Sequence, residues 1–343
     1  MTVLALAAIA LAAAAPDPTA GMSTRQLAGQ HVVIGFSGTT APHSLRSRIH
    51  RGELGGVILF GANVSSRSQV KQLTRSLQSA RPKGAPPLLI TIDQEGGQVK
   101  RLSGAPALSA AGMGAKNSTT YARRQGAATA RNLRGVGVNV NLAPVLDVAR
   151  PGSIMERQQR SFSRSAKRVT RIGGAFARGL TANNVGSTGK HFPGLGAARK
   201  NEDLSLNRIK ASLKTLRAKD ERPYSAQPGA LDLVMLSTAL YPALGSGPAL
   251  FSKRVVDQEL RGHVGFKGVT ITDALDAPAL KRYGSLGRRG VLATRAGVDL
   301  LLYGDSGGSA VGSVVKAVRS GSVKKAALRS SVRRTLELRA SLR

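Results

Sequence analysis

Leu88-Leu89-Ile90-Thr91-Ile92-Asp93, followed by Gln94-Glu95-Gly96-Gly97, is a short apolar run that ends in a carboxylate and breaks at paired glycines. A run that is apolar at successive rather than alternate positions is the pattern of a strand buried on both faces. The same shape recurs at residues 31–36, 56–60, 138–142, 186–191, 231–237, 268–273 and 298–303. Helical patterns fall between these runs, among them 68–80, 119–134, 166–183, 209–218 and 255–262. Eight alternations of strand and helix predict an α/β chain folded as a single (β/α)8 TIM-type barrel. Residues 322–343 place Val323, Ala327, Leu328, Val332 and Leu336 at helical spacing and predict a closing helix. A doubly wound open sheet would carry a Gly-rich dinucleotide turn after its first strand, and none is present.

Composition narrows the chemistry. The 343 residues include no Cys and no Trp, so disulfides, thiolate metal sites and a cysteine nucleophile are excluded. The core must be built from Leu, Ile, Val and Ala. Lys and Arg number 51 against 18 Asp and Glu, a net charge of +33 that surrounds the protein with a positive field. An anionic cell-wall surface is a plausible neighbour. No specific nucleic-acid binding is expected, because the cations are dispersed and no zinc-finger spacing or aromatic RNA motif accompanies them.

From Val3 to Ala15 the chain is wholly apolar and then meets Pro16-Asp17-Pro18, the length and small-residue ending of a signal-peptide core. No Lys or Arg precedes it, so the usual basic leader is missing. The apolar run is too short to span a bilayer as a helix, and residues 1–21 are read as an export segment. Residues 22–343 are read as the barrel, and the chain as secreted or cell-wall associated. The competing reading is an Ala-rich helix packed on a cytoplasmic domain.

In a parallel barrel the reacting groups sit at the carboxyl ends of the strands. Here those ends offer Asp93, Asn141, Asp147, Lys190, His191, Ser237 and Asp273. Carboxylates, an ammonium and an imidazole around one mouth can hold sugar hydroxyls by charge-assisted hydrogen bonds. Isolated carboxylates at strand ends also suit cleavage of glycosidic bonds.

Six ordered motifs carry a family resemblance: Gly55-Gly56-Val57-Ile58-Leu59-Phe60, Asp93-Gln94-Glu95-Gly96-Gly97, Asn141-Leu142-Ala143-Pro144-Val145-Leu146-Asp147-Val148, Arg160-Ser161-Phe162, Lys190-His191-Phe192-Pro193-Gly194, and Gly265-Phe266-Lys267-Gly268-Val269 with Thr272-Asp273. Together they resemble glycoside hydrolase family 3, in particular its single-domain bacterial β-N-acetylhexosaminidases. The resemblance implies that Asp273 is the nucleophile and that Asp93, Arg101, Arg160, Lys190 and His191 bind the terminal sugar. It implies a carbohydrate substrate, such as a peptidoglycan fragment, and no metal or cofactor.

One loop departs from the pattern. The family's hexosaminidases carry an acid/base histidine after the Lys-His-Phe-Pro-Gly motif, where this chain reads Asn201-Glu202-Asp203-Leu204. Asp203 first and Glu202 second are the candidate acids. Neighbouring Arg199 and Lys200 are expected to lower their pKa, against the requirement of a general acid. The activity that the resemblance implies is retaining, exo-acting removal of terminal β-linked N-acetylglucosamine. The alternatives are a catalytically impaired glycan-binding barrel and a β-glucosidase-like hydrolase.

Overall fold

The structure is a computed structural model and describes residues 17–227, 229–305 and 307–342. The apolar run at residues 3–15 lies outside the described residues. Of the predicted export segment, Asp17 to Gly21 form a turn in which Thr19 donates to Asp17.

Eight parallel strands form the sheet: β1 (Val32–Ile34), β2 (Gly56–Leu59), β3 (Leu89–Ile92), β4 (Val140–Asn141), β5 (Gly186–Phe192), β6 (Leu233–Leu236), β7 (Val269–Thr272) and β8 (Leu301–Tyr303). Each pairs with its neighbour in sequence, and β8 pairs with β1 in register Val32 to Leu301. A parallel bridge between Ile271 and Leu300 joins β7 to the start of β8 and closes the barrel. All eight expected strands are present.

The two-faced burial read from the sequence is visible strand by strand. Val33, Ile58, Leu89, Leu233, Met235, Val269, Ile271 and Leu302 point inward and plug the barrel. Their neighbours Val32, Ile34, Val57, Leu59, Val234 and Leu236 pack outward under the helices. Both faces are dry, so the runs do not alternate. The closing helix spans Lys325–Ser341; its Leu338 joins the inner plug, and its Arg339 donates to the carbonyls of Pro86 and Pro87. Ala327, expected on its buried stripe, is exposed.

The helix expected at 209–218 is not formed over that span. Ile209 runs extended, donating to the Leu240 carbonyl at 2.8 Å, before Ser212 caps a short helix at Leu213–Thr215. A π-helical turn follows at Leu216–Asp220, closed by Glu221 N–H on the Leu216 carbonyl. Backbone pairing with the loop after β6 overrides the helical spacing there. The segment Arg254–His263 also winds as a π-helix. Among the described residues no helix is long and apolar enough to cross a membrane.

Candidate active site

The plug ends at Ile58, Leu142, Met235 and Leu302, which floor a cavity of about 400 Å³ at the carboxyl ends of the strands. Asp93, Arg101, Arg160, Lys190, His191, Glu202, Asp203 and Asp273 all line it. The structure thus brings the residues given catalytic or sugar-binding roles from the sequence to one mouth, whereas Asn141, Asp147 and Ser237 are not in its lining.

Beyond β3 the chain makes a tight hairpin, Gln94–Gly96 against Val99–Lys100. Gly96 and Gly97 turn it with φ of +98° and +60°, and a Cβ on Gly96 would lie 2.3 Å from the Leu108 carbonyl oxygen. Glycine is required by both conformation and space. Gln94 points away from the pocket: its Oε1 accepts from the Arg101 and Leu102 amides, and its Nε2 donates to the Leu102 and Ala105 carbonyls. The alternation of side chains then aims Asp93 and Glu95 into the pocket.

Those carboxylates meet two buried cations. Lys190 Nζ lies 2.7 Å from Asp93 Oδ1 and 2.8 Å from Glu95 Oε1. Arg160 forks onto both oxygens of Glu95 at 3.0 and 3.1 Å and reaches Glu202 at 2.8 Å with its remaining Nη. Arg101 stands 3.9 Å from Asp93. Burial alone would raise Glu95, but Lys190 and Arg160 hold its carboxyl down at about 2. Burial likewise opposes the charges of Lys190 and Arg160, and their carboxylate partners overcome it and raise both. Glu202 is held below its ordinary value, as Arg160 and His191 outweigh its burial.

Lys190 and His191 are adjacent, yet both line the pocket. The ladder between β5 and β6 slips between Gly189 and Phe192, which breaks the alternation that would send them to opposite faces. His191 is anchored by Asp147, whose Oδ2 lies 2.8 Å from Nδ1 and whose Oδ1 accepts from the His191 and Leu195 amides. Burial disfavours the imidazolium, but the Asp147 charge prevails and raises the pKa.

The loop after β5 is pinned on both sides. Gly196 and Ala198 carbonyls accept from Arg150 and Ile154, Asn207 accepts from the Arg199 and Lys200 amides, and the Asp203 carbonyl accepts from Ala279 at 2.9 Å. These bonds hold Glu202 and Asp203 over the pocket, opposite the end of β7. Asp273 Oδ1 accepts from the Ala274 amide at 2.8 Å, and none of the ion pairs among the described residues includes Asp273. Its pKa is raised by burial and by Glu202, against His191 and Lys190.

Asp203 is exposed at the lip of the pocket that it lines, and its pKa is raised to about 6 by partial desolvation there and by the charges of Asp273 and Glu202. The expectation that Arg199 and Lys200 would lower it is overturned. Both are exposed, and the cations that act on Asp203 are His191 and Arg160. Sequence proximity misled here because electrostatic influence follows distance in space.

Glu95, at the centre of the ion network, was not among the residues assigned from the sequence. Its signal was present, two positions after Asp93 and on the same face of the strand. Asn141 and Ser237 have structural roles instead: Asn141 exchanges two bonds with the Gln94 backbone, and Ser237 accepts from the Ala239 amide. Among the described residues no group of three or more His, Asp or Glu is arranged to hold a metal ion.

A closed parallel barrel with carboxyls and cations gathered in a pocket at its strand ends has the layout of a glycoside hydrolase. The chain belongs to glycosyl hydrolase family 3: the model of that family's N-terminal domain matches residues 24–338. It is 40% identical over 342 residues to an uncharacterized secreted glycosyl hydrolase of Arthroderma benhamiae, covering 96% of this chain and 97% of the relative. It is 33% identical to beta-hexosaminidase A of Pseudoalteromonas piscicida over 82% of this chain, but spans only about half, 53%, of that relative. Its structure superposes on a family 3 beta-N-acetylglucosaminidase of Paenibacillus sp. with a TM-score of 0.89 and 32% identity, covering 94% of this chain and 63% of the other.

Proposed function

We infer that this chain is a retaining, exo-acting β-N-acetylglucosaminidase. The observation that carries the mechanism is the placement of two carboxyls in one pocket, Asp273 just after β7 and Asp203 on the loop after β5. Burial raises both; Asp203 reaches about 6 and so carries a proton at mildly acid pH, while His191 and Lys190 work against the rise at Asp273. Asp203, with a value near mildly acid pH, suits the general acid, and Asp273, outside every ion pair among the described residues, suits the nucleophile. Glu202, tied to Arg160 and lowered, is the poorer acid.

In the first step Asp273 attacks the anomeric carbon as the glycosidic bond breaks, and Asp203 gives its proton to the departing oxygen. In the second, the Asp203 carboxylate takes a proton from water. That water attacks the same carbon, and the bond to Asp273 breaks. Asp93, Arg101, Arg160, Lys190 and His191 hold the terminal sugar, with Glu95 locking the two buried cations in place.

The relatives named hexosaminidase and N-acetylglucosaminidase support N-acetylglucosamine as the sugar removed. Cell-wall fragments are the proposed source, and export fits both the apolar N-terminal run and the secreted relative. Turnover of p-nitrophenyl β-N-acetylglucosaminide by wild type and its loss in Asp273→Ala test the reading. Wild-type-like turnover in that variant would overturn it.

A further inference from the structure

The charge of +33 is not spread evenly along the chain. Residues 54–201 hold 23 Lys and Arg against four acids, Asp93, Glu95, Asp147 and Glu156. Asp93 and Glu95 line the active-site pocket, Asp147 is buried against His191, and Glu156 is paired with Arg164. The outer surface of this half of the barrel therefore carries almost no free negative charge.

Two helices concentrate the effect, Thr119–Arg134 and Ala166–Thr181. Each bears four Lys or Arg residues, all eight are exposed, and neither helix contains an acid. None of the eight takes part in an ion pair among the described residues. The helices approach backbone to backbone through glycine. A Cβ on Gly126 would lie 2.1 Å from the Phe176 carbonyl oxygen, and one on Gly179 would lie 2.3 Å from that of Arg123. This contact sets the two cationic rows side by side. Both helices follow barrel strands and so begin on the side of the barrel that carries the active site.

We propose that this helix pair is a docking surface for a linear anionic polysaccharide, one bearing carboxylate or phosphodiester groups along its length. Closely spaced, unneutralised cations gain most from a partner whose charges also repeat, because binding releases its condensed counterions. The surface offers almost nothing for reading bases. Tyr121 is the only aromatic residue on the first helix and Phe176, which is buried, the only one on the second, whereas single-stranded nucleic acids are held by exposed stacking platforms. The choice of a glycan rests on the glycosidase reading of the neighbouring pocket. Docking would keep the enzyme on the matrix from which its substrates are released.

The test uses the full chain and two fourfold variants of equal charge. One carries Arg123→Gln, Arg124→Gln, Arg131→Gln and Arg168→Gln. The control carries Arg288→Gln, Arg295→Gln, Lys316→Gln and Arg319→Gln, on exposed positions of the helices Leu286–Ala296 and Ala310–Arg319. Binding to polygalacturonate and to duplex DNA is measured against salt, with aryl-glycoside turnover as a check on folding. The helix-pair variant should bind polygalacturonate at least tenfold more weakly, with a salt slope shallower by roughly 3, while the control changes less than threefold and both retain turnover. Equal weakening in the two variants would show diffuse charge and overturn the proposal. Tighter binding of DNA than of polygalacturonate would overturn it in favour of nucleic acid. Loss of turnover in wild type would instead count against the glycosidase reading and leave the binding comparison intact.

Discussion

Replacing Asp203 with alanine tests the acid/base assignment most directly. Loss of a general acid costs ~10²- to 10⁴-fold in rate, or about 2.7–5.5 kcal/mol of transition-state stabilisation. That cost falls only where the departing oxygen needs a proton. A p-nitrophenolate leaves unaided, so Asp203→Ala should slow the disaccharide by the full factor and the first step of the aryl glycoside by less than about tenfold. The pH profile gives a second reading. With a pKa of about 6, roughly one molecule in eleven is protonated at pH 7 and ten in eleven at pH 5. Disaccharide kcat/KM in wild type should therefore fall with rising pH through a midpoint near 6, and Asp203→Ala should lose that limb. Steady-state kinetics on both substrates between pH 4 and 8 would decide it. Equal losses on the two substrates, or a limb that survives the substitution, would refute the assignment.

Asp273→Ala should reduce turnover of both substrates by on the order of 10⁴-fold or more while calorimetry still detects sugar binding, since the subsite is intact. Glu95→Gln should destabilise the fold by about 3 kcal/mol in urea unfolding followed by circular dichroism, because it leaves Lys190 and Arg160 buried with too little negative charge. Glu95 has a folded pKa of about 2 against an ordinary 4.5, so its contribution is complete above pH 4.5 and is lost as pH falls through 2. Glu221 has the opposite sign. Burial and the charge of Glu259 raise it to about 8, and neither of its buried oxygens has a hydrogen-bond partner. The cost of ionising it in the fold is absent below pH 4.5, where both states hold the proton, and stability is lost as pH rises towards 8. Glu221→Gln should then raise stability at pH 8 by about 1–3 kcal/mol, with little gain at pH 4.5, as read from thermal unfolding at the two pH values.

Each barrel strand was legible because burial on both faces writes an unbroken apolar run into the sequence. The strand-end carboxylates and the Lys-His pair were legible because a barrel has one reactive rim, and any polar group ending a strand arrives there. Residues 209–218 were misread because helical spacing is a local property, while the extended course of Ile209 is set by Leu240, thirty-one positions away.

The sequence by itself determined the barrel, the family and the side chains that meet at its mouth, since these follow from periodicity and from motifs a few residues long. Only the tertiary structure decided how those side chains are charged. It made Glu95 the hub of the ion network, tied Glu202 to Arg160, and set Asp203 beside Asp273 and away from the influence of Arg199 and Lys200. A pKa sums burial and charge over every group nearby in space, and in this site those groups come from five different strands and loops.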